Sequence, residues 1–181
     1  MFKLHAATGV ELPLSEVFAS PTIAGLARTI GRLCAGEQTE ALDLRSKVAL
    51  PDSVSAAHAA PPRAPREAPT SVLLTGATGF LGAYILRELI DATAAEMVCL
   101  VRADDAAEGL RRIRRNLESY KLWRDGDEAR LHPVLGDLAS PRLGLDDAGF
   151  AALAERVDAI VHNGGQVNFI AHYGHLEAAN V

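Results

Sequence analysis

Apolar residues recur along the chain in two rhythms. Between residues 20 and 36 they fall at helical spacing, with Ile23, Leu26, Ala27, Ile30, Leu33 and Cys34 on one stripe. Ser20-Pro21 is expected to open that helix, with a hydroxyl acceptor at the cap and a proline where no donor is needed, and Gly36 to close it. Ser15 is expected to cap a shorter helical turn ending near Ala19. From residue 71 onward, short continuous apolar runs alternate with helical stripes. Val72-Leu73-Leu74, residues 97–101, residues 131–135 and Ala159-Ile160-Val161 read as strands, the third weakened by Pro133. Leu81, Ile85, Leu86 and Leu89 mark one intervening helix over 80–90. Leu110, Ile113, Leu117 and Tyr120 mark a second, and Phe150, Leu153, Ala154 and Val157 a third. Buried parallel strands joined by helical crossovers have this pattern, so the expected class is α/β, open and doubly wound.

Composition narrows the picture. The chain has 181 residues, 49% of them apolar and 23% charged, as in a folded globular protein. A net charge of −5 argues against a general nucleic-acid binder. The two cysteines, Cys34 and Cys99, exclude a disulfide scaffold and a four-cysteine zinc site, suit a reducing, cytoplasmic setting, and read as core thiols. No apolar signal-peptide region follows Met1, and the most apolar window, 71–90, is interrupted by Gly76, Gly79, Gly82, Arg87 and Glu88, so no membrane span is expected. Pro51, Pro61, Pro62, Pro65 and Pro69 fall within 37–70, which reads as a semi-rigid linker between a helical segment, 1–36, and an α/β segment, 71–181. Two short helices cannot bury the stripe of the first segment alone.

The chemistry concentrates in 71–181. Thr75-Gly76-Ala77-Thr78-Gly79-Phe80-Leu81-Gly82 lies between the first strand and its helix, with glycines spaced G-x-x-G-x-x-G. In a Rossmann-type sheet Gly76 allows the tight turn, Gly79 lets backbone approach a diphosphate, and Gly82 lets the helix pack closely on the strand. The helix N-terminus then offers unpaired amides to the phosphates. Arg102 directly follows Leu100-Val101, where an acidic residue would hold the ribose 2′-OH of NAD. A guanidinium there suits a 2′-phosphate, so the reading is NADP(H), with Arg112 in reach of the same group. Asp104 and Asp105 nearby speak against it, and either arginine has a solvated-surface alternative. Asp137 and Leu138 after the third strand suit the adenine edge, although Asp137 fits equally as the cap of its own turn. Asn163 and Gly164, in the loop after the fourth strand, would border the nicotinamide half. His172 and His175 lack a third ligand, so no metal is expected, and Arg111, Arg112, Arg114 and Arg115 read as a solvated helix face.

Several of these stretches together resemble a known family. Residues 75–82, Cys99-Leu100-Val101-Arg102-Ala103, Gly136-Asp137-Leu138, and residues 162–169 with Tyr173, Leu176 and Ala179-Asn180-Val181 are similar to the thioester reductase domain that closes nonribosomal peptide and polyketide synthetases. That domain belongs to the extended short-chain dehydrogenase/reductase group, beside carboxylic acid, aminoadipate and fatty acyl reductases. Gly165, where relatives usually carry Ala, and His172, where Pro is common, depart from its pattern. Gly9-Val10-Glu11-Leu12-Pro13-Leu14, Val17-Phe18 and Ser20-Pro21-Thr22-Ile23-Ala24-Gly25-Leu26-Ala27 resemble the second half of a peptidyl carrier domain.

The resemblance implies reductive release. An acyl or peptidyl thioester on a carrier's phosphopantetheine arm, delivered by upstream synthetase modules, is reduced with NADPH to an aldehyde or alcohol. It implies cofactor contacts from Thr75, Gly76, Thr78, Gly79, Phe80, Leu81, Gly82, Arg102, Arg112, Asp137, Leu138, Asn163 and Gly164. The family's phosphopantetheine serine would precede the first helix, and its catalytic Thr and Tyr-x-x-x-Lys pair would follow Val181. Ser15, Ser20, Tyr120 and Tyr173 match none of them. The expectation is therefore a segment truncated at both ends, holding the first four strands, that binds NADPH without reducing thioesters by itself. The alternatives are a noncatalytic cofactor-binding or interaction fragment, or an NAD-linked sugar-nucleotide epimerase or dehydratase.

Overall fold

A computed structural model describes residues 2–36, 45, 48, 68–171 and 173–181. Most of the expected 37–70 linker, and His172, lie outside the described residues. The chain divides into two units, Met1–Pro65 with Phe169–His172, and Arg66–Asn168 with Tyr173–Val181.

Among its described residues the first unit holds three helices, α1 (Phe2–Thr8), α2 (Leu14–Ala19) and α3 (Ile23–Cys34). Two caps differ from expectation. Helix α2 starts at Leu14 behind Pro13, which places Ser15 inside the first turn, and no side chain caps it. In α3 the cap is Thr22 and not Ser20, the Thr22 hydroxyl accepting from the Gly25 amide at 3.1 Å. Gly36 does close α3, with φ +81° and its amide on the Leu33 carbonyl. The apolar stripe is only partly covered. Leu26, Ile30 and Leu33 are half-buried, Ile23 is 90% exposed, and Ala27 and Cys34 are exposed. The buried positions of α3 are Gly25 and Thr29, so Cys34 is not a core thiol.

The second unit is built on a parallel sheet ordered β3-β2-β1-β4, from β1 (Ser71–Thr75), β2 (Glu96–Val101), β3 (Leu131–Leu135) and β4 (Ala159–His162). Helices α4 (Phe80–Ala92), α5 (Ala106–Ser119) and α6 (Asp147–Arg156) connect the strands, and α7 (Tyr173–Asn180) follows. Strand residues alternate between two cores, as the pleat requires. Val72, Leu74, Met97 and Cys99 pack with Leu86, Ile90, Ile113 and Leu117 of α4 and α5. Leu73, Val98 and Leu100 pack on the other side with Leu153 of α6. The α/β, doubly wound reading therefore holds. Pro133 sits in β3, which pairs only with β2 among the described residues, so its missing donor interrupts no second ladder. Cys99 is a core thiol, and burial pushes it up to about 12.

Helix α4 turns the expected Leu86 into the core with Ile85 and Leu89 packed beside it, and departs from the expected stripe at Leu81. Leu81 is 56% exposed, while Gly82, Ala83, Leu86, Arg87 and Ile90 are buried. Arg87 is tolerated there because Asp127 takes Nη1 on both carboxylate oxygens, at 2.7 and 2.9 Å, and Asp91 takes Nη2 at 2.6 Å. Burial opposes the charge on Arg87, but these hydrogen bonds and the two carboxylates outweigh it and hold the guanidinium above its ordinary pKa. Nearby, Arg130 donates to the carbonyls of Ile90, Thr93 and Ala95 where α4 runs out toward β2.

Candidate functional site

Thr75 ends β1, and the chain turns sharply through Gly76 at φ +76°. A side chain is excluded there twice over. The backbone lies in the left-handed region, and a Cβ would stand 2.9 Å from the Gly164 backbone. Gly82 is tighter still, since a Cβ would lie 1.9 Å from the Gly76 carbonyl oxygen. Its smallness thus seats the start of α4 on the turn, rather than on the strand as the motif alone implies. At Gly79 a Cβ would meet only the Gly76 oxygen, at 3.4 Å, which leaves its outer side open. No side chain caps α4 at Gly79, so the first helical amides remain available.

The Thr75 hydroxyl ties this turn to the loop after β4. It accepts from the amides of Asn163 at 3.1 Å and Gly164 at 2.8 Å, and lies 2.8 Å from His162 Nδ1. The loop is held at its far end by Asn180, which accepts from the Gln166 amide at 2.7 Å and donates to the Gln166 carbonyl at 3.0 Å.

These elements enclose a cavity of about 750 Å³ at the carboxyl ends of the strands, within the usual range of cofactor sites. Gly76, Thr78, Gly79, Phe80 and Leu81 form one wall. Arg102 and Arg112 stand at the end of β2, Asp137 and Leu138 after β3, and Asn163 and Gly164 after β4. Of the expected site residues, only Thr75 and Gly82 do not line the cavity, because both are buried behind its wall. The Arg102 side chain is exposed, and the Arg112 guanidinium donates to the Arg102 carbonyl oxygen. Of the two nearby acids, Asp105 is taken up in capping α5, accepting from the Glu108 amide at 2.7 Å. Asp104 shares a shallow depression with Arg102 and Arg112. Asp137 does cap its own turn, through Oδ1 and the Ala139 amide at 3.0 Å, while also lining the cavity.

Gln166 and Val167, in the loop expected to border the nicotinamide half, line the cavity as well, whereas sequence reasoning missed Ala139 and Ala179 on its wall, and missed Asn116. Asn116 donates from Nδ2 to the carbonyls of Ala77 at 3.0 Å and Gly79 at 2.9 Å. A polar residue flanking the Ile113–Leu117 stripe was the available signal. Arg111 and Arg114 pair with Glu108 and Glu118, and Arg114 lies over the Trp123 ring. Among the described residues no group of three or more His, Cys, Asp or Glu converges as a metal site, and no helix is long and apolar enough to cross a membrane.

A glycine turn against a helix start, a cavity at the switch between β1 and β4, and cationic groups beyond β2 together define a dinucleotide-binding α/β protein. Residues 74–181 match the NAD-binding family described as male sterility protein, and the chain belongs to that family. A linear gramicidin synthase of Brevibacillus parabrevis is 44% identical over 191 residues, covering all of this chain and 4% of that protein. L-2-aminoadipate reductase of Schizosaccharomyces pombe is 32% identical over 195 residues, covering all of this chain and 14% of that protein. This chain thus spans a small part of the length of these relatives. Among solved structures, the terminal R domain of the myxalamid PKS-NRPS pathway superposes with a TM-score of 0.72 at 46% identity, covering 76% of this chain and 35% of that one. The PhqB reductase domain of Penicillium fellutanum gives 0.54 at 38% identity, covering 64% and 32%.

Proposed function

We propose that the chain binds NADPH as the coenzyme-binding part of a thioester reductase that releases a carrier-bound acyl or peptidyl chain. The observation that carries the coenzyme choice is the pair Arg102 and Arg112 on the cavity wall at the end of β2. A guanidinium at that position complements a 2′-phosphate in charge and geometry, whereas a carboxylate would complement a ribose hydroxyl. The similarity to reductase domains of multidomain synthetases supports the thioester chemistry. It also supports reading 71–181 as the N-terminal part of the reductase, while 1–36 as the end of a carrier domain and 37–70 as their linker rest on the resemblance of residues 9–27.

When bound, NADPH supplies a hydride to the thioester carbonyl carbon. On the substrate the C–S bond would then break, the pantetheine sulfur taking a proton from solvent as it leaves and an aldehyde remaining. A second NADPH and a second solvent proton would convert the aldehyde to an alcohol. The residues of this chain bind and orient. Backbone amides of Thr78 and Phe80 would face the diphosphate, the Gly79 amide being taken by the Gly76 carbonyl, and Arg102 and Arg112 would hold the 2′-phosphate. Asp137 and Leu138 border the adenine, and Asn163 and Gly164 carry the loop that positions the nicotinamide ring.

Titrating the chain with NADPH and NADH tests the coenzyme reading. NADPH is expected to bind at least about tenfold tighter, and Arg102→Ala to erase the difference while leaving NADH affinity unchanged. Equal affinities in the unsubstituted chain overturn it. The reductive reading is tested on the longer protein with an acyl-pantetheine thioester, where NADPH consumed must equal the aldehyde formed plus twice the alcohol formed.

A further inference from the structure

Resting on the dinucleotide-binding reading, we infer that Asn116 of α5 is a positioning residue for the diphosphate. It orients the amides of the glycine turn from behind. Both hydrogens of its Nδ2 are used on the turn, one on the Ala77 carbonyl and one on the Gly79 carbonyl. Two carbonyl acceptors fix which end of the side-chain amide faces them. The peptide bonds concerned are trans, and in a trans peptide the N–H points opposite to the C=O of the same unit. Holding the Ala77 carbonyl toward α5 therefore aims the Thr78 amide away from α5. Holding the Gly79 carbonyl does the same for the Phe80 amide. Thr78 and Phe80 both line the cavity, and no hydrogen bond to another described residue occupies either amide. The donors are thus fixed before a ligand arrives, and a diphosphate need not reorganise them.

The placement on α5 matters as well. Arg112 and Asn116 are four residues apart and share one helix face. Tyr120, four residues further at the end of α5, contacts the Phe80 ring with centroids 5.4 Å apart. One helix therefore carries both the group assigned to the 2′-phosphate and the clamp on the diphosphate turn. Glycine motifs locate that turn, but its amide directions depend on a side chain 37 residues away in sequence.

The test compares two probes on the 181-residue chain. NADP+ carries both the diphosphate and the 2′-phosphate, while adenosine 2′-monophosphate carries only the latter. Asn116→Ala is expected to weaken NADP+ about tenfold and to leave the monophosphate within about twofold. Asn116→Asp sets a carboxylate against two carbonyl oxygens and is expected to weaken NADP+ more at pH 8. Relative to the unsubstituted chain at the same pH, part of the loss should return at pH 5, where a protonated acid can again donate. A purely structural role would not produce that recovery. Unchanged NADP+ binding in Asn116→Ala, equal losses for both probes, or an Asn116→Asp ratio independent of pH overturns the inference. An unsubstituted chain that binds adenosine 2′-monophosphate but not NADP+, or binds neither, overturns the dinucleotide reading itself and this one with it.

Discussion

The two ends of the sheet are built on opposite principles. At the carboxyl ends of the strands, hydrogen-bonding groups are left open around a cavity. The backbone there includes the left-handed Gly76, and Arg102 is exposed. At the amino ends, most polar groups are paired, although the Ser71 hydroxyl and Arg87 Nε have no hydrogen-bond partner among the described residues. Asp158 accepts from the Thr70 amide, the Thr70 hydroxyl and the Ser71 amide. Arg130 covers three carbonyls, and Asp127 closes on Arg87 and also accepts from the Arg124 amide at 2.8 Å. The same parallel fold therefore divides its labour. One end keeps donors unpaired so that a ligand can take them, and the other end uses its donors to hold the chain together.

The sharpest way to test that division is Asp127→Ala. It leaves the buried Arg87 with only the half-exposed Asp91 as a carboxylate partner. Breaking a buried pair from one side is expected to cost about 3 kcal/mol, read as a drop in the urea midpoint. Coenzyme affinity should stay within about twofold, because nothing at the cavity touches this cluster. If affinity falls along with stability, the two ends are coupled and the comparison fails. Thr75→Val should have the smaller but converse effect. It removes the acceptor of the Asn163 and Gly164 amides and the hydrogen-bond partner of His162 while keeping the volume. About 1–2 kcal/mol of stability is expected to go, together with about tenfold in dinucleotide affinity, since the loop after β4 loses its anchor. A stability loss with affinity intact would mean that the loop keeps its place without Thr75.

How much of this was legible beforehand follows from how local each cause is. The strands were readable as continuous apolar runs, since β1 and β2 are buried on both faces. The glycine turn was readable because its geometry depends on residues six apart. The inward face of α4 was readable at Leu86 but not at Arg87, which reads as a solvent residue until Asp127, 40 positions later, is brought beside it. Asn116 likewise has partners 37 and 39 residues away. The stripes of α3 and α5 look alike in sequence, yet Ile113 and Leu117 are fully buried while Ile23 is 90% exposed. Periodicity identifies a face and is silent about what covers it. Capping is local but fine-grained, which is why Thr22 rather than Ser20 opens α3.

The smallest expected effect comes from acid, and it belongs to the paired end alone. The hydrogen bond from Arg87, followed by the charges of Arg87 and Arg124, holds the Asp91 carboxyl below its ordinary range. The hydrogen bond from Arg156, then the charge of His132, does the same for Glu96. A carboxyl whose folded pKa lies below its unfolded value adds stability that is fully present above the unfolded value. That contribution is lost as pH falls through the folded one. Asp91→Asn with Glu96→Gln should therefore lower Tm slightly at pH 7. The two melting curves should converge as pH falls through the lowered folded values, where the native carboxyls take up protons. Both side chains are more than a third exposed, so water and salt keep the difference small, and added salt should narrow it further. Dinucleotide affinity at pH 7 should be the same in both proteins, because these carboxylates sit where α4 runs into β2 and the cavity opens at the opposite ends of the strands. A Tm gap that does not close with acid would assign the pairs no electrostatic share in stability. A change in affinity would show that the paired end reaches the binding end after all.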